Sequence, residues 1–143
     1  MAQASKSQGS TFKDLRVWQE GLRLATEIYR ATATFPRHEL FALGQQMRRA
    51  AVSIPSNIAE GKGRRSDPDF CRFLLNARGS LLELQTQIII AQELQYLSQE
   101  RADSLGSSAN SIGRGLNALL NALDGRRPKQ NMGAESPQPA TND

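Results

Sequence analysis

The stretch that decides the fold is QQMRRAAVSIPSNIAEGKGRRS, residues 45–66. It belongs to a longer segment, 38–62, in which apolar side chains recur at alternating spacings of three and four. That periodicity is typical of one face of an amphipathic helix. The segment therefore predicts a long helix with a single apolar face. The positions on this face are Leu40, Leu43, Met47, Ala50 and Ile54.

A proline and two glycines mark the second half of this helix. Pro55 removes one backbone donor, so we expect the helix to bend near Ala51. Gly61 and Gly63 predict its C-terminal end, because glycine is the residue most often found just past a helix.

The same periodicity predicts one helix before this segment, over 12–35, and two after it, over 67–96 and 98–124. Residues 66–69, Ser-Asp-Pro-Asp, form a helix start with a side-chain cap and a proline in the first turn. All the connections are short, and short connections force neighbouring helices to run in opposite directions. The sequence therefore predicts an all-α, antiparallel, up-down-up-down four-helix bundle.

One domain accounts for the whole chain of 143 residues. The bundle takes residues 11–124, and the polar ends, 1–10 and 125–143, are expected to be disordered because they have almost no large apolar side chains. Cys71 is the only cysteine, so no disulfide can form within the chain. No apolar run of 18 residues exists, so we expect no membrane span and a cytoplasmic protein.

The first and third predicted helices carry more apolar surface than one bundle seam needs. Apolar residues cover about half of the circumference of the first helix. The third helix has an additional row at Leu75, Leu82 and Ile89. This surplus predicts a second buried contact, most simply with identical chains.

Positive charge is concentrated in the middle of the chain. Residues 40–82 contain seven basic side chains and three acidic ones, whereas the first and last helices are close to neutral. We therefore expect any polyanion-binding surface to come from this region. The candidate residues for nucleic-acid contact are Arg48, Arg49, Lys62, Arg64, Arg65 and Arg72.

The loop Gly-Lys-Gly-Arg-Arg at 61–65 has two interpretations. It lacks the spacing of a Walker phosphate loop and has no preceding strand. It is either a helix stop followed by solvated charges, or a basic loop whose Lys62, Arg64 and Arg65 contact phosphates without reading the base sequence.

Arg48 and Arg49 point about 100° apart on a helix, so at most one of them can face the core. We expect one to form an ion pair with a carboxylate inside the assembly, with Glu60 and Glu83 as candidates, and the other to be exposed. The sequence does not say which is which.

Asn57 lies on the apolar face of the second predicted helix and needs a hydrogen-bond partner, because an unpaired buried amide costs about 1–3 kcal/mol. We predict a structural network with Ser53 and Ser80 that fixes the helix register.

Catalytic chemistry has little support in the sequence. His38 and Cys71 are the only residues of their types, so neither a zinc site nor a Cys-His pair built on several such ligands can be assembled in one chain. Glu39, Glu60 and Glu83 could in principle converge on a metal, but the Glu-x-x-His pairs of diiron bundles are missing. We therefore expect no enzyme, no metal and no cofactor.

Residues 45–66 and 69–86, together with the opening segment 12–36, resemble the four-helix-bundle family of proteins encoded in intervening sequences of bacterial 23S ribosomal RNA genes. The chain also resembles the accessory variability protein of diversity-generating retroelements. Two positions depart from the pattern: Gly44 stands in place of a hydroxyl residue, and Lys62 in place of an aromatic or apolar one.

The resemblance implies a bacterial homopentamer with a positively charged surface that binds RNA or DNA and, for the retroelement member, a reverse transcriptase. It points to Arg48, Arg49, Lys62, Arg64 and Arg65. The leading hypothesis is a non-enzymatic, oligomeric nucleic-acid-binding or scaffold protein. The alternative is a protein-interaction adaptor with no direct role on nucleic acid, in which most arginines form internal ion pairs.

Overall fold

The computed structural model describes residues 11–125, and this part of the chain contains helices and turns but no strand. The all-α fold predicted from the sequence is confirmed. The two predicted disordered tails lie outside the described residues, except for Gly125. The four long helices are α1 (Arg16–Thr32), α2 (Gln45–Lys62), α3 (Asp67–Glu93) and α4 (Gln99–Asp124).

Side-chain caps set the starts of α3 and α4. The Ser66 hydroxyl accepts a hydrogen bond from the Asp69 backbone N–H at 3.2 Å, with Pro68 in the first turn. The Ser98 hydroxyl accepts from the Arg101 backbone N–H at 3.0 Å. Each cap satisfies one of the backbone donors that a helix start leaves unpaired.

The approach to α2 differs from the uninterrupted helix predicted from residue 38. A single α-helical turn, Arg37–Glu39, leads into a π-helical segment, Leu40–Gly44. Gly44 is buried, and a Cβ atom there would lie 3.3 Å from the Glu39 carbonyl oxygen and 3.6 Å from the Phe35 ring. A side chain at the end of this wide turn would therefore fit tightly against the Glu39 carbonyl, a constraint that apolar periodicity does not reveal.

Each helix packs against the next one along the chain, and α4 also packs against α1. In each pair of neighbouring helices, residues with higher numbers in one helix contact residues with lower numbers in the other. This is the order that antiparallel neighbours give. The pairs are Gly21 with Pro55 and Thr32 with Arg48; Ser53 with Ser80 and Gly61 with Phe73; Arg78 with Asn117 and Gln85 with Asn110; Glu20 with Ser111 and Glu27 with Arg101.

Two residues of α2 have roles that the sequence did not assign. Gly61, predicted as part of the helix stop, lies inside α2 and is buried against α3, where a Cβ atom would be 2.7 Å from the Phe73 Cβ. Gly63 is the residue that caps the helix, and its N–H donates to the Ala59 carbonyl at 3.3 Å. The helix continues through Pro55, whose buried ring lies 3.5 Å from the Cβ position of Gly21.

The apolar surplus seen in the sequence lies on the outside of this chain. Leu75, Leu82 and Ile89, on α3, are 46%, 59% and 59% exposed. Leu22 and Tyr29, on α1, are also nearly half exposed. Along residues 11–125, no helix is both long enough and apolar enough to cross a membrane.

Candidate nucleic-acid interface

The six candidate cations fall into two groups instead of one patch. Lys62, Arg64, Arg65 and Arg72 surround the turn between α2 and α3; we call them the turn cluster. Arg48 and Arg49 lie near the start of α2. At a rise of 1.5 Å per residue, the two groups are about 20 Å apart along the helix.

The close approach of α2 to α3 builds the turn cluster. Because Gly61 has no side chain, the end of α2 rests directly on Phe70 and Phe73 at the start of α3. Both rings are buried, at 7% and 6% exposure. They provide a rigid apolar base, and cationic side chains from both helices lie over it.

Cation–π contacts hold three of the four cations of the turn cluster. The guanidinium carbons of Arg64 and Arg72 lie 4.6 and 4.5 Å from the centroid of the Phe73 ring. The Lys62 ammonium lies 5.9 Å from the centroid of Phe70. Contacts of this kind orient a cation while its outer N–H groups still face solvent. The two arginines are therefore held as close neighbours of like charge.

Carboxylates neutralise the turn cluster only in part. Arg64 lies 3.7 Å from a Glu60 oxygen, and Arg72 lies 3.2 Å from an Asp69 oxygen. All four of these side chains are at least 43% exposed, and exposed pairs of this kind contribute about 0–1 kcal/mol. Arg65 is exposed and has no ion pair within residues 11–125. The cations of the turn cluster are therefore available to a polyanion, because their ion pairs within the protein are weak.

Arg48 is committed to the bundle, but not to a carboxylate as predicted. Its Nε donates to the Thr32 hydroxyl at 2.8 Å, an Nη donates to the Tyr29 carbonyl at 3.1 Å, and its guanidinium carbon lies 4.6 Å from the centroid of the Tyr29 ring. The Tyr29 carbonyl also accepts the Ala33 backbone N–H at 3.2 Å, so Arg48 adds a further donor to a carbonyl in the last turn of α1. Arg49 is the exposed member of the pair.

The two carboxylates proposed as partners of Arg48 or Arg49 lie elsewhere. Glu60 contacts Arg64 at the opposite end of α2, and the exposed Glu83 on α3 accepts a long hydrogen bond of 3.4 Å from Gln87. Within one chain the predicted ion pair is therefore not formed, because charge and helix face alone do not give the distance between helices.

The polar network predicted at Asn57 is present. The Asn57 amide nitrogen donates to both the hydroxyl and the carbonyl oxygen of Ser53, each at 2.9 Å. The hydroxyls of Ser53 and Ser80 are 2.9 Å apart, which links α2 to α3. Asn57 therefore has a structural role, because its hydrogen bonds belong to the network that joins α2 to α3.

The residues considered for catalysis do not converge. His38 is exposed, whereas Cys71 is partly buried and packs against the core. Glu39 accepts a hydrogen bond from the Tyr96 hydroxyl at 2.9 Å, far along the bundle from Glu60. In the described part of the chain, no three His, Cys, Asp or Glu side chains lie close enough to hold a metal ion.

The sequence did not identify the aromatic rings that organise both groups of cations. Phe70 and Phe73 read as core residues, and Tyr29 as one member of an apolar stripe. The one signal in the sequence was that Arg72 and Phe73 follow closely after the basic loop Gly-Lys-Gly-Arg-Arg. Pairing these residues required the contact between α2 and α3, which local sequence does not give.

Fold and surface together define a small helical-bundle protein whose principal chemical feature is a solvated cationic turn. The chain belongs to the 23S rRNA-intervening sequence protein family, whose model matches residues 13–118.

A solved structure from Bacteroides thetaiotaomicron, described as a protein of unknown function from the S23 ribosomal protein family, is similar to this chain. The two are 22% identical, with a TM-score of 0.69, over 73% of this chain and 95% of the other. This likeness concerns the fold. No curated protein matches the chain.

Proposed function

We propose that this protein is a non-enzymatic, oligomeric scaffold that binds the backbone of RNA or DNA in the bacterial cytoplasm, without a metal or cofactor. The observation that carries the proposal is the turn cluster. Four cationic side chains converge on one turn, and the nearby carboxylates engage two of them through exposed pairs. Contacts to phosphates would position a nucleic acid without reading its sequence, and their strength would fall as salt rises.

The exposed row on α3 supports assembly of identical chains as part of this proposal. Leu75, Leu82 and Ile89 are spaced by seven residues, as in facing helices that pack together. Gly79 lies among them on the same face, with no atom within 4 Å of its Cβ position, which leaves room for a side chain from another copy. The family resemblance implies a pentamer, and the mass of the native assembly tests that number.

A protein partner extends the same proposal. The resemblance to the retroelement accessory protein implies a reverse transcriptase, which a nucleic-acid-binding scaffold would hold on its template. Co-purification with a bacterial reverse transcriptase, with and without nuclease treatment, tests whether such a contact is direct.

Fluorescence anisotropy tests the central claim with labelled RNA and DNA at low and moderate salt. Arg65→Glu is expected to weaken binding by about tenfold or more at low salt, because it replaces a free cation of the turn cluster with an anion. Arg114→Glu is the matched control: this exposed arginine on α4 lies away from the turn and has no ion pair within residues 11–125. Absence of binding by the wild type at low salt, or affinity that does not change with salt, would exclude the proposal.

A protein adaptor is the second candidate. It is favoured by the internal use of Arg48 and by the ion pairs of Arg64 and Arg72. Combined charge reversal at Arg64 and Arg65 separates the two candidates. Loss of nucleic acid with retention of the protein partner supports the scaffold, and the opposite result supports the adaptor.

A further inference from the structure

A second aromatic and basic groove lies at the opposite end of α2 from the turn cluster. It occupies about 390 Å³, within the range of small-ligand sites. We call it the π-segment groove because the segment Leu40–Gly44 forms one wall. Its lining residues are Tyr29, Leu40, Phe41, Gln45, Arg48 and Arg49.

Two aromatic rings of this groove face solvent. Phe41 is 77% exposed, the highest value of any large apolar side chain in the described part of the chain, and Tyr29 is 46% exposed. The π-helical segment adds one residue to the helical repeat, which rotates the residues before it by about 100° relative to α2. Phe41 belongs to this segment and lies outside the apolar face that contains Leu40 and Leu43, so its ring is exposed. Phe41 and Tyr29 together give the groove a solvent-facing aromatic surface, and exposed apolar surface that is continuous in this way marks interaction sites.

The charge of the groove identifies the kind of ligand. Two arginines and one amide line it, and no carboxylate does. Arg48 uses one hydrogen bond to Thr32 and one to Tyr29, so its remaining N–H groups have no protein partner within residues 11–125. Arg49 is exposed and unpaired over the same range. The groove therefore combines flat apolar faces with uncompensated positive charge.

Flat rings beside cations are the chemistry that binds unpaired nucleotides. A base stacks on an aromatic face, and the neighbouring phosphate interacts with an arginine. Bases inside a duplex are already stacked on each other and do not reach such a ring. Gln45 adds amide groups that can hydrogen-bond to the edge of a base.

We propose that the π-segment groove binds single-stranded nucleic acid, with a base stacked on Phe41 and the phosphates held by Arg48 and Arg49. This inference rests on the proposed nucleic-acid function and adds to it a preference for unpaired strands. The backbone contacts of the turn cluster do not require unpaired bases, so the two sites have different ligand requirements.

The test compares Phe41→Ala, Phe41→Leu and Phe41→Trp with a matched control, Val52→Ala. Val52 is an exposed apolar residue of α2 that does not line the groove. Anisotropy is measured with single-stranded RNA, single-stranded DNA and a duplex of the same sequence, and the native mass of every variant is determined. The strand that the wild type binds more tightly, RNA or DNA, identifies the source of the ligand.

We expect the following results if a base stacks on Phe41. Phe41→Ala and Phe41→Leu weaken single-strand binding by about tenfold, the value of one stacked base, while Phe41→Trp and Val52→Ala retain it. Duplex binding and native mass stay unchanged in all four variants. The indole of Phe41→Trp is quenched when a single strand binds.

Several outcomes overturn the inference. Retention of affinity by Phe41→Leu would mean that stacking is not involved. Equal loss of duplex and single-strand binding would mean that Phe41 supports the fold. A change in native mass in Phe41→Ala would mean that another protein copy covers the groove. If the wild type binds the duplex but shows no dependence on Phe41, this inference alone fails; if it binds no nucleic acid, the proposed function fails with it.

Discussion

Single glycines determine how closely the helices of this bundle approach each other. A Cβ atom at Gly61 would lie 2.7 Å from the Phe73 Cβ and 2.9 Å from the Phe70 ring, so α2 and α3 would have to separate. We expect Gly61→Ala to destabilise the fold by about 1–3 kcal/mol, although alanine favours a helix. At Gly106 no atom lies within 4 Å of the Cβ position, so Gly106→Ala is expected to stabilise by about 0.5–1 kcal/mol. Urea unfolding measures both, and equal effects would contradict the close-approach argument.

One tyrosine couples stability to alkaline pH. The Tyr96 hydroxyl donates to a Glu39 oxygen at 2.9 Å. That hydrogen bond, then burial and the Glu39 charge, raise the pKa of Tyr96 above its ordinary value. A raised folded pKa contributes stability that is fully present below about pH 10, the unfolded value, and is lost as pH rises through the folded pKa.

Tyr96→Phe is the variant that tests this coupling, because it removes the hydroxyl and keeps the ring. The difference in unfolding free energy between wild type and variant should be constant from pH 7 to about pH 9 and should shrink above about pH 10. Urea titrations of both proteins across this range measure it. A difference that stays constant up to pH 11 would show that the hydrogen bond does not couple to the ionisation of Tyr96.

At the scale of the element, the outward row of α3 is an apolar surface without a partner in the single chain. If identical chains cover Leu82, Leu82→Glu would bury a carboxylate at the contact, and an unpaired buried charge is strongly unfavourable. We expect this variant to keep its helical circular dichroism and to dissociate, so that its native mass falls below that of the wild type. Asn76→Glu adds the same charge to an exposed position of α3 outside the row. It should leave the assembly intact, and equal behaviour of the two variants would disprove the role of the row.

For the whole molecule, the separation of the two groups of cations predicts independent contributions to binding. Arg49 and the turn cluster are about 20 Å apart, and the effects of changes at such distances usually add to within about 0.3–0.5 kcal/mol. A double-mutant cycle of Arg49→Gln and Arg65→Gln, measured by anisotropy on a single-stranded oligonucleotide, should show a coupling no larger than this. A larger coupling would mean that the two arginines share one binding site, for example across a contact between chains.

The local sequence pattern was sufficient to predict the helices and part of the polar network that joins α2 to α3. Spacings of three and four predicted all four long helices, because adjacent turns of a helix bring those positions together whatever the rest of the chain does. Ser66 and Asp69 gave the start of α3 for the same local reason. The partner of Asn57 could also be predicted, since Ser53 is one turn away and Ser80 lies on the facing helix.

Tertiary structure alone decided which groups far apart in sequence meet. It placed Arg48 on the end of α1 instead of on a carboxylate, and it made Gly61 a packing residue instead of a helix stop. It also divided the six predicted cations into two groups and placed Phe41 in one groove with Tyr29, Arg48 and Arg49. The physical reason is the separation in sequence over which each property is determined. Helix periodicity depends on neighbours within four residues, whereas the environment of a charge or a ring depends on the distance between helices.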